Sequence, residues 1–172
     1  MALTFVTGGA RSGKSGYALR LAAAAGRPVV LIATAEARDD EMRERIGAHR
    51  RERPADWRTI EEPLDLAGAL GGLADGEFAV VDCLSLWVSN LLEAERDGSA
   101  IEQLATEAAA LAARRAGGCV AVSNEVGMGI VPMGALVRAY RDVIGRVNAI
   151  WAEAADDALF VVAGRVLRLE RA

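Results

Sequence analysis

The residues best suited to chemistry lie in one glycine-rich stretch near the start of the chain. Gly8-Gly9-Ala10-Arg11-Ser12-Gly13-Lys14-Ser15 matches the pattern G-x-x-x-x-G-K-[ST] at every fixed position. In this motif the glycines let successive backbone N–H groups surround a phosphate, and the lysine reaches the β- and γ-phosphates. The hydroxyl of the last residue ligates Mg²⁺. The stretch therefore predicts a nucleoside triphosphate site in which Lys14 binds phosphate and Ser15 binds the metal.

Two further carboxylates are candidates for the same site. A phosphate loop needs a carboxylate to organise the magnesium ion, normally at the end of an apolar strand, and Asp82 ends the run Phe78-Ala-Val-Val-Asp82. The alternative is that Asp82 caps the following turn. Glu125 follows another apolar run and precedes the glycine-rich segment Val126–Pro132. It is a candidate for orienting a substrate or a metal-bound water, whereas packing or a hinge is the alternative for that segment.

The only histidine of the chain, His49, lies in an arginine-rich segment. From Arg38 to Arg58 there are seven arginines and six acidic residues, and Met42, Ile46 and His49 share one helical face. Clustered guanidinium groups favour the neutral, nucleophilic imidazole and stabilise a phosphoryl group under attack. His49 is therefore a candidate for covalent catalysis at phosphorus. The alternatives are a histidine that packs in the core and a solvated, charged helix.

The elements that must position these residues alternate between strands and helices. Short β-branched runs predict strands at Leu3–Thr7, Val29–Ala33, Phe78–Val81, Cys119–Ser123 and Leu159–Ala163. Helix-like stretches separate them, which predicts an α/β fold whose mostly parallel sheet carries helices on both faces. The glycine-rich loop then falls at the carboxyl end of the first strand, where open α/β sheets bind ligands.

Capping residues and prolines set the expected bounds of the other helices and strands. Predicted helices run from Lys14 to Ala25, from a capping box at Ser99 and Glu102 to Arg115, and from about Gly134 to Ala155. Pro54 ends the arginine-rich helix near Arg53, Trp57–Ile60 is a candidate edge strand, and Pro63 is a candidate helix start.

Composition limits the class of protein. The 172 residues suit a single domain, residues 1–172, and 52% apolar with 26% charged residues is typical of a globular protein. A net charge of −4 argues against a nucleic-acid binder. Cys83 and Cys119 lie too far apart for a zinc motif and are expected to be reduced. With neither a signal peptide nor an apolar run that could insert into a membrane, a cytoplasmic location is expected.

Four stretches extend the glycine-rich motif into a family resemblance: "FVTGGARSGKS", "IATAEARDDEMRERIGAHRRERPADWRTIEEP", "VVDCLSLWVSNLL" and "VSNEVGMGIVP". In order and spacing they resemble the bifunctional adenosylcobinamide kinase / adenosylcobinamide-phosphate guanylyltransferase family of cobalamin biosynthesis, over essentially the whole chain. The resemblance implies a P-loop NTPase of RecA-like fold that assembles as a homotrimer. It implies that ATP or GTP phosphorylates adenosylcobinamide. GMP from GTP then passes through a guanylyl-histidine to the new phosphate, giving adenosylcobinamide-GDP.

The resemblance also implies a role for each matching position. His49 is the covalent histidine, Lys14 serves catalysis, and Ser15 and Asp82 hold Mg²⁺. The implied nucleotide contacts are Gly8, Gly9, Ala10, Arg11, Ser12, Gly13, Lys14, Ser15, Ala33, Thr34, Ala35, Arg50, Arg51, Glu52, Arg53, Glu61 and Asp82. Because the kinase step needs attack at the γ-phosphorus and guanylyl transfer needs attack at the α-phosphorus, the nucleotide or the His49 helix must move between steps.

Two other functions remain alternatives at this point. One is a plain P-loop kinase for another small alcohol, in which His49 only packs. The other is a nucleotide-gated assembly module, in which triphosphate binding sets an oligomer interface.

Overall fold

Seven strands form a single sheet in the computed structural model, which describes residues 3–37, 40, 43–44, 47, 50 and 54–171. Across the sheet the strand order is β3-β2-β4-β5-β1-β6-β7. All neighbouring strands are parallel except β6 and β7, which form an antiparallel hairpin. The bounds are β1 Leu3–Gly8, β2 Val29–Ala33, β3 Arg58–Glu61, β4 Phe78–Asp82, β5 Cys119–Val122, β6 Asp157–Val162 and β7 Arg165–Leu169.

Helices cover both faces of this sheet. They are α1 Lys14–Ala24, α2 Leu66–Gly71, α3 Leu84–Glu93, α4 Gly98–Ala113 and α5 Ala135–Ala154. On one face Ala18 and Ala22 of α1 pack against the strands. On the other face α2 to α5 bury a larger core that includes Trp87 and Trp151. Burial on both faces explains why the central strands read as continuous apolar runs, and it confirms the predicted α/β fold with a mostly parallel sheet.

The strand register brings the predicted site residues to one edge of the sheet. Glu61, Ala33 and Asp82 pair in one row across β3, β2 and β4. The row continues through Val122 of β5 to Val6 of β1, two residues before the glycine-rich loop. Because all five strands are parallel, the loops that follow them leave from the same edge.

Several elements differ in their bounds from the sequence-based prediction. The edge strand is confirmed as β3, but the Ser99/Glu102 capping box is wrong. The carboxylate of Asp97 caps α4 by accepting the N–H of Ala100 at 2.8 Å, and Glu102 instead pairs with Arg146. Likewise α2 is capped by Asp65 rather than started at Pro63. An aspartate can accept the exposed N–H groups of the first helical turn, which proline cannot do.

The hairpin strand β7 was not predicted at all. Its residues Arg165–Leu169 comprise two arginines and three apolar side chains without strict alternation, and all five are exposed. The pairing with β6 is therefore a tertiary property that the short pattern does not reveal.

The arginine-rich helix is described only in part. Asp40, Arg43, Glu44, Gly47 and Arg50 have helical backbone, whereas Met42, Ile46 and His49 lie outside the described residues. Among the helices of the described ranges, none combines the length and the apolar character that crossing a bilayer requires.

Candidate functional site

The glycine-rich loop has a backbone that only its glycines permit. Gly8 has φ 148°, and a Cβ added there would lie 2.2 Å from the carbonyl oxygen of Val161 in β6. Gly13, at the N-cap of α1, has φ 101°. Both values lie in the region that side chains disfavour, and Gly8 also has no room for one. The sequence pattern therefore reports a loop that turns sharply between β1 and α1 and aims the helix N-terminus at the edge of the sheet.

Lys14 is buried beneath this loop. It is 7% exposed, and its Nζ donates a hydrogen bond to the carbonyl of Gly9 at 2.7 Å. Burial lowers the pKa of Lys14, while the nearby Cys83 and the carboxylate of Asp82 oppose that change. Asp82, at the end of β4, lies within electrostatic reach of Lys14 although β5 runs between their strands. The structure thus brings together the lysine and the carboxylate that the sequence paired.

The hairpin between β6 and β7 supports the loop from the other side. The N–H of Gly164, in the hairpin turn, donates to the carbonyl of Ser12 at 3.0 Å. The Ser12 hydroxyl is itself buried and has no partner among the described residues. A buried, unpaired hydroxyl inside a loop lined by N–H groups suits a ligand rich in acceptor oxygens.

Ser15 and Asp82 provide the oxygen ligands that a magnesium ion prefers. Both side chains are partly exposed at the same edge of the sheet. Within residues 3–37, 40, 43–44, 47, 50 and 54–171, no three His, Cys, Asp or Glu side chains cluster in a way that would hold a metal by themselves. The hydroxyl of Ser15 and the carboxylate of Asp82 fit Mg²⁺, which commonly takes one or two protein oxygens and completes its shell with water and substrate phosphates.

Thr34 links the ends of β2 and β4. Its buried hydroxyl donates to the carbonyl of Cys83 at 2.7 Å and accepts the N–H of Cys83 at 2.9 Å. Asn90 of α3 donates to the Thr34 carbonyl at 2.8 Å. Thr34 therefore holds the residue after Asp82 in place, and its hydroxyl is already used within the protein. Its neighbour Ala35 is partly exposed, whereas Ala33 is buried.

A cleft of about 460 Å³ lies beside β3, the outermost strand on the side of the sheet away from β7. Arg50, Trp57, Thr59 and Glu61 are among its lining residues, and the guanidinium of Arg50 pairs with the carboxylate of Glu61. Four strand steps separate β3 from β1, which is about 19 Å at the usual spacing. Arg50 and Glu61 are therefore brought together at β3, two strands from Asp82 and four strands from the strand that leads into the phosphate loop.

A second polar network, which the sequence did not reveal, surrounds the end of β5. Asn124 donates from its side chain to the Ser85 hydroxyl at 2.8 Å, and Asn148 of α5 donates to the Asn124 carbonyl at 3.0 Å. Tyr140 donates to the Ser85 carbonyl at 3.2 Å, and burial raises its pKa to about 12, so it remains a donor at neutral pH. Only the position of Asn124 at a strand end could have signalled this network.

The candidates that concern covalent catalysis are not all described. His49, Arg51, Glu52 and Arg53 lie outside the described residues, and their roles stay predictions from the sequence. The described candidates Gly8 to Ser15, Ala33 to Ala35, Glu61 and Asp82 lie at the carboxyl ends of the parallel strands, with Glu61 on the outermost strand, β3.

Comparison with known proteins identifies one family, by a family model and by individual relatives. Residues 4–169 match the model of a family described as cobinamide kinase / cobinamide phosphate guanyltransferase. The bifunctional adenosylcobalamin biosynthesis protein CobP of Pseudomonas aeruginosa is 46% identical over 169 residues, which is 96% of this chain and 95% of that protein. The protein named CobU of Salmonella typhimurium is 42% identical over 94% of this chain and 96% of its own length. The Escherichia coli protein of that name is 41% identical, with the same coverage.

Proposed function

The chain belongs to the cobinamide kinase / cobinamide phosphate guanyltransferase family, and we propose that it catalyses both reactions in one unit, residues 1–172. It phosphorylates adenosylcobinamide with ATP or GTP, and it then transfers GMP from GTP to adenosylcobinamide phosphate. The observation that carries the proposal is the buried Lys14 within electrostatic reach of Asp82 beneath a glycine loop, in a chain that matches the family over residues 4–169.

For the kinase step, the loop and Lys14 hold the triphosphate at the carboxyl end of β1. The N–H groups from Gly8 to Ser15 donate hydrogen bonds to the phosphate oxygens, and the Lys14 ammonium neutralises charge on the β- and γ-phosphates. Ser15 and Asp82 are the residues that would hold Mg²⁺, which neutralises charge on the transferring phosphoryl group when bound. The alcohol oxygen attacks the γ-phosphorus, and the nucleoside diphosphate leaves.

For the guanylyl step, the proposed nucleophile is His49. Its ring nitrogen attacks the α-phosphorus of GTP, pyrophosphate leaves, and the phosphate of the corrinoid then displaces the histidine. Arg50 and Glu61 lie at β3, four strands from the strand that leads into the phosphate loop. We infer that the segment containing Arg50 and His49 moves toward the α-phosphorus between the two steps.

The assembly and location follow the family expectation. We propose a homotrimer that works in the cytoplasm. The unpaired edge of β7 and its exposed apolar side chains support an assembly, because such an edge readily pairs with another chain. Sedimentation equilibrium should give three chains per particle, and a monomer or a dimer would refute the trimer.

The proposed function is tested by following label from GTP. With label on the α-phosphorus, the protein should form an adduct that is acid-labile and alkali-stable, as a phosphoramidate is. His49 is the only histidine, so a histidine-linked adduct identifies it without peptide mapping. His49→Ala should abolish the adduct and retain phosphorylation of adenosylcobinamide from γ-labelled nucleotide.

The same experiment separates the alternatives. A plain kinase would transfer γ-label to an alcohol without forming an adduct, and a nucleotide-gated assembly module would do neither. Loss of both activities in a folded His49→Ala protein would show that the two roles are not separable.

A further inference from the structure

Glu125 occupies a position beside the phosphate loop that the nucleotide roles above do not use. It follows β5, which lies between β1, the strand of the loop, and β4, the strand of Asp82. Its N–H donates to the carbonyl of Gly8 at 3.0 Å, and Gly8 is the first residue of the loop. Glu125 is therefore attached to the loop on the side of the magnesium carboxylate.

The backbone that carries Glu125 is held from several directions. The N–H of Ser123 donates to Val6 of β1 at 2.9 Å, and the carbonyl of Asn124 accepts from Asn148 of α5 at 3.0 Å. The side chain of Asn124 donates to Ser85 at the start of α3, at 2.8 Å. Such support is expected for a side chain that must be placed accurately, and it argues against a hinge at this point.

The carboxylate of Glu125 retains capacity to accept a proton. It is partly exposed, and one of its oxygens accepts the N–H of Gly127. A carboxylate offers about four lone-pair positions, so this hydrogen bond orients the group and leaves other acceptor positions for a substrate hydroxyl.

The segment that follows Glu125 presents several exposed apolar side chains. Met128 is 79% exposed, and Ile130 and Met133 are each 97% exposed. Leu136 at the start of α5 is 74% exposed. Exposed apolar groups at this density mark a binding surface, and here they lie on the chain that leaves Glu125. An alcohol with a large organic body can therefore lie against this segment with its hydroxyl near Glu125.

We propose that Glu125 is the general base of the phosphorylation step, an inference that rests on the proposed function. The hydroxyl oxygen of the substrate forms a bond to the γ-phosphorus as the bond from that phosphorus to the bridging oxygen breaks. The nucleoside diphosphate departs with the bonding electrons. The hydroxyl proton passes to the Glu125 carboxylate and from there to solvent. Attack of the imidazole on the α-phosphorus requires no alcohol deprotonation, so Glu125 serves only the kinase step.

The test measures phosphorylation of adenosylcobinamide and guanylyl transfer separately in Glu125→Gln. Glutamine keeps an oxygen that can accept from Gly127, so the loop retains its hydrogen bond while the base is removed. Phosphorylation of adenosylcobinamide should fall in kcat by roughly 100-fold or more, with KM for the nucleotide within about two-fold of wild type. Formation of the α-labelled adduct, and GMP transfer to adenosylcobinamide phosphate made by the wild-type enzyme, should continue at the wild-type rate.

Two variants complete the design. Glu107→Gln, on the exposed side of α4, is the matched control and should leave both reactions unchanged. Glu125→Asp retains a carboxylate and should recover part of the kinase rate.

The outcomes separate this inference from the function on which it rests. Full kinase activity in Glu125→Gln would refute the base role alone, and an equal loss of both reactions in folded protein would show a structural role instead. A wild-type protein that forms the adduct but never phosphorylates adenosylcobinamide would refute the proposed kinase activity and the role of Glu125 with it.

Discussion

The ammonium group of Lys14 lies 2.7 Å from the carbonyl oxygen of Gly9 and donates a hydrogen bond to it across the loop to which both residues belong. The group is almost completely buried, and burial lowers its pKa. A buried ammonium is costly unless acceptors and negative charge surround it. We therefore expect the Lys14 ammonium to stabilise a bound phosphate rather than the folded protein.

Lys14→Ala should reduce both reactions by at least about 100-fold while the Tm stays within about 3 °C of wild type. The activity falls because the phosphates lose their charge-assisted partner, which typically contributes a few kcal/mol to a transition state. The fold persists because the variant also removes the cost of burying the charge. Thermal unfolding and the two label-transfer assays measure these effects. An unaltered rate for either reaction would contradict the shared phosphate site.

Gly8→Ala should destabilise the protein by about 2 kcal/mol or more, since the added Cβ would meet the Val161 carbonyl at 2.2 Å in a backbone with φ 148°. The matched control is Gly145→Ala in α5, where an added Cβ has no neighbour within 4 Å among the described residues. That change should raise stability by about 0.5–1 kcal/mol, because alanine favours the helix. Denaturant unfolding measures both variants, and equal effects would show that the loop tolerates a side chain.

Glu61→Gln should raise the KM for GTP in adduct formation by roughly ten-fold, the loss expected for a charge-assisted hydrogen bond. We infer that the Glu61 carboxylate, which pairs with Arg50 in the described structure, accepts the two donors on the edge of guanine when GTP is bound, whereas glutamine offers only one oxygen. Phosphorylation with ATP should be unchanged, because adenine does not present that pair of donors. An equal change with both nucleotides would place Glu61 outside base recognition.

Glu77→Gln should lower the free energy of unfolding by roughly 1 kcal/mol at pH 7. The Ala74 N–H hydrogen bond, then Arg58, lowers the pKa of Glu77 below its ordinary 4.5, and burial only partly opposes this. A lowered pKa means that the native state favours the ionised form, so the stabilisation is present above pH 4.5. It is lost as the pH falls through the native pKa.

The difference between Glu77→Gln and wild type should therefore shrink steadily below pH 4.5, as unfolding at several pH values will show. The variant should keep both enzyme activities. Glu77 directly precedes β4 and so lies at the amino ends of the parallel strands, whereas the phosphate loop lies at their carboxyl ends. A constant difference at all pH values would mean that the charge of Glu77 plays no part.

Short sequence patterns were sufficient to predict those features that a single loop or strand determines by itself. The glycine-rich loop was predicted because φ values such as that of Gly13 are accessible only to glycine, and the buried strands because both faces of the sheet are covered. The cap of α4 was assigned wrongly, since Ser99 and Asp97 are both good caps and only the chain path selects Asp97.

By itself the sequence determined the phosphate loop, the α/β class and the family, because those depend on residue types at fixed short spacing. Only the tertiary structure decided that β5 separates Lys14 from Asp82 and places Glu125 beside Gly8, that Thr34 holds Cys83, and that Gly164 supports Ser12. Strand order and long-range hydrogen bonds join residues far apart along the chain. No local pattern encodes them, because they result from packing all the elements into one core.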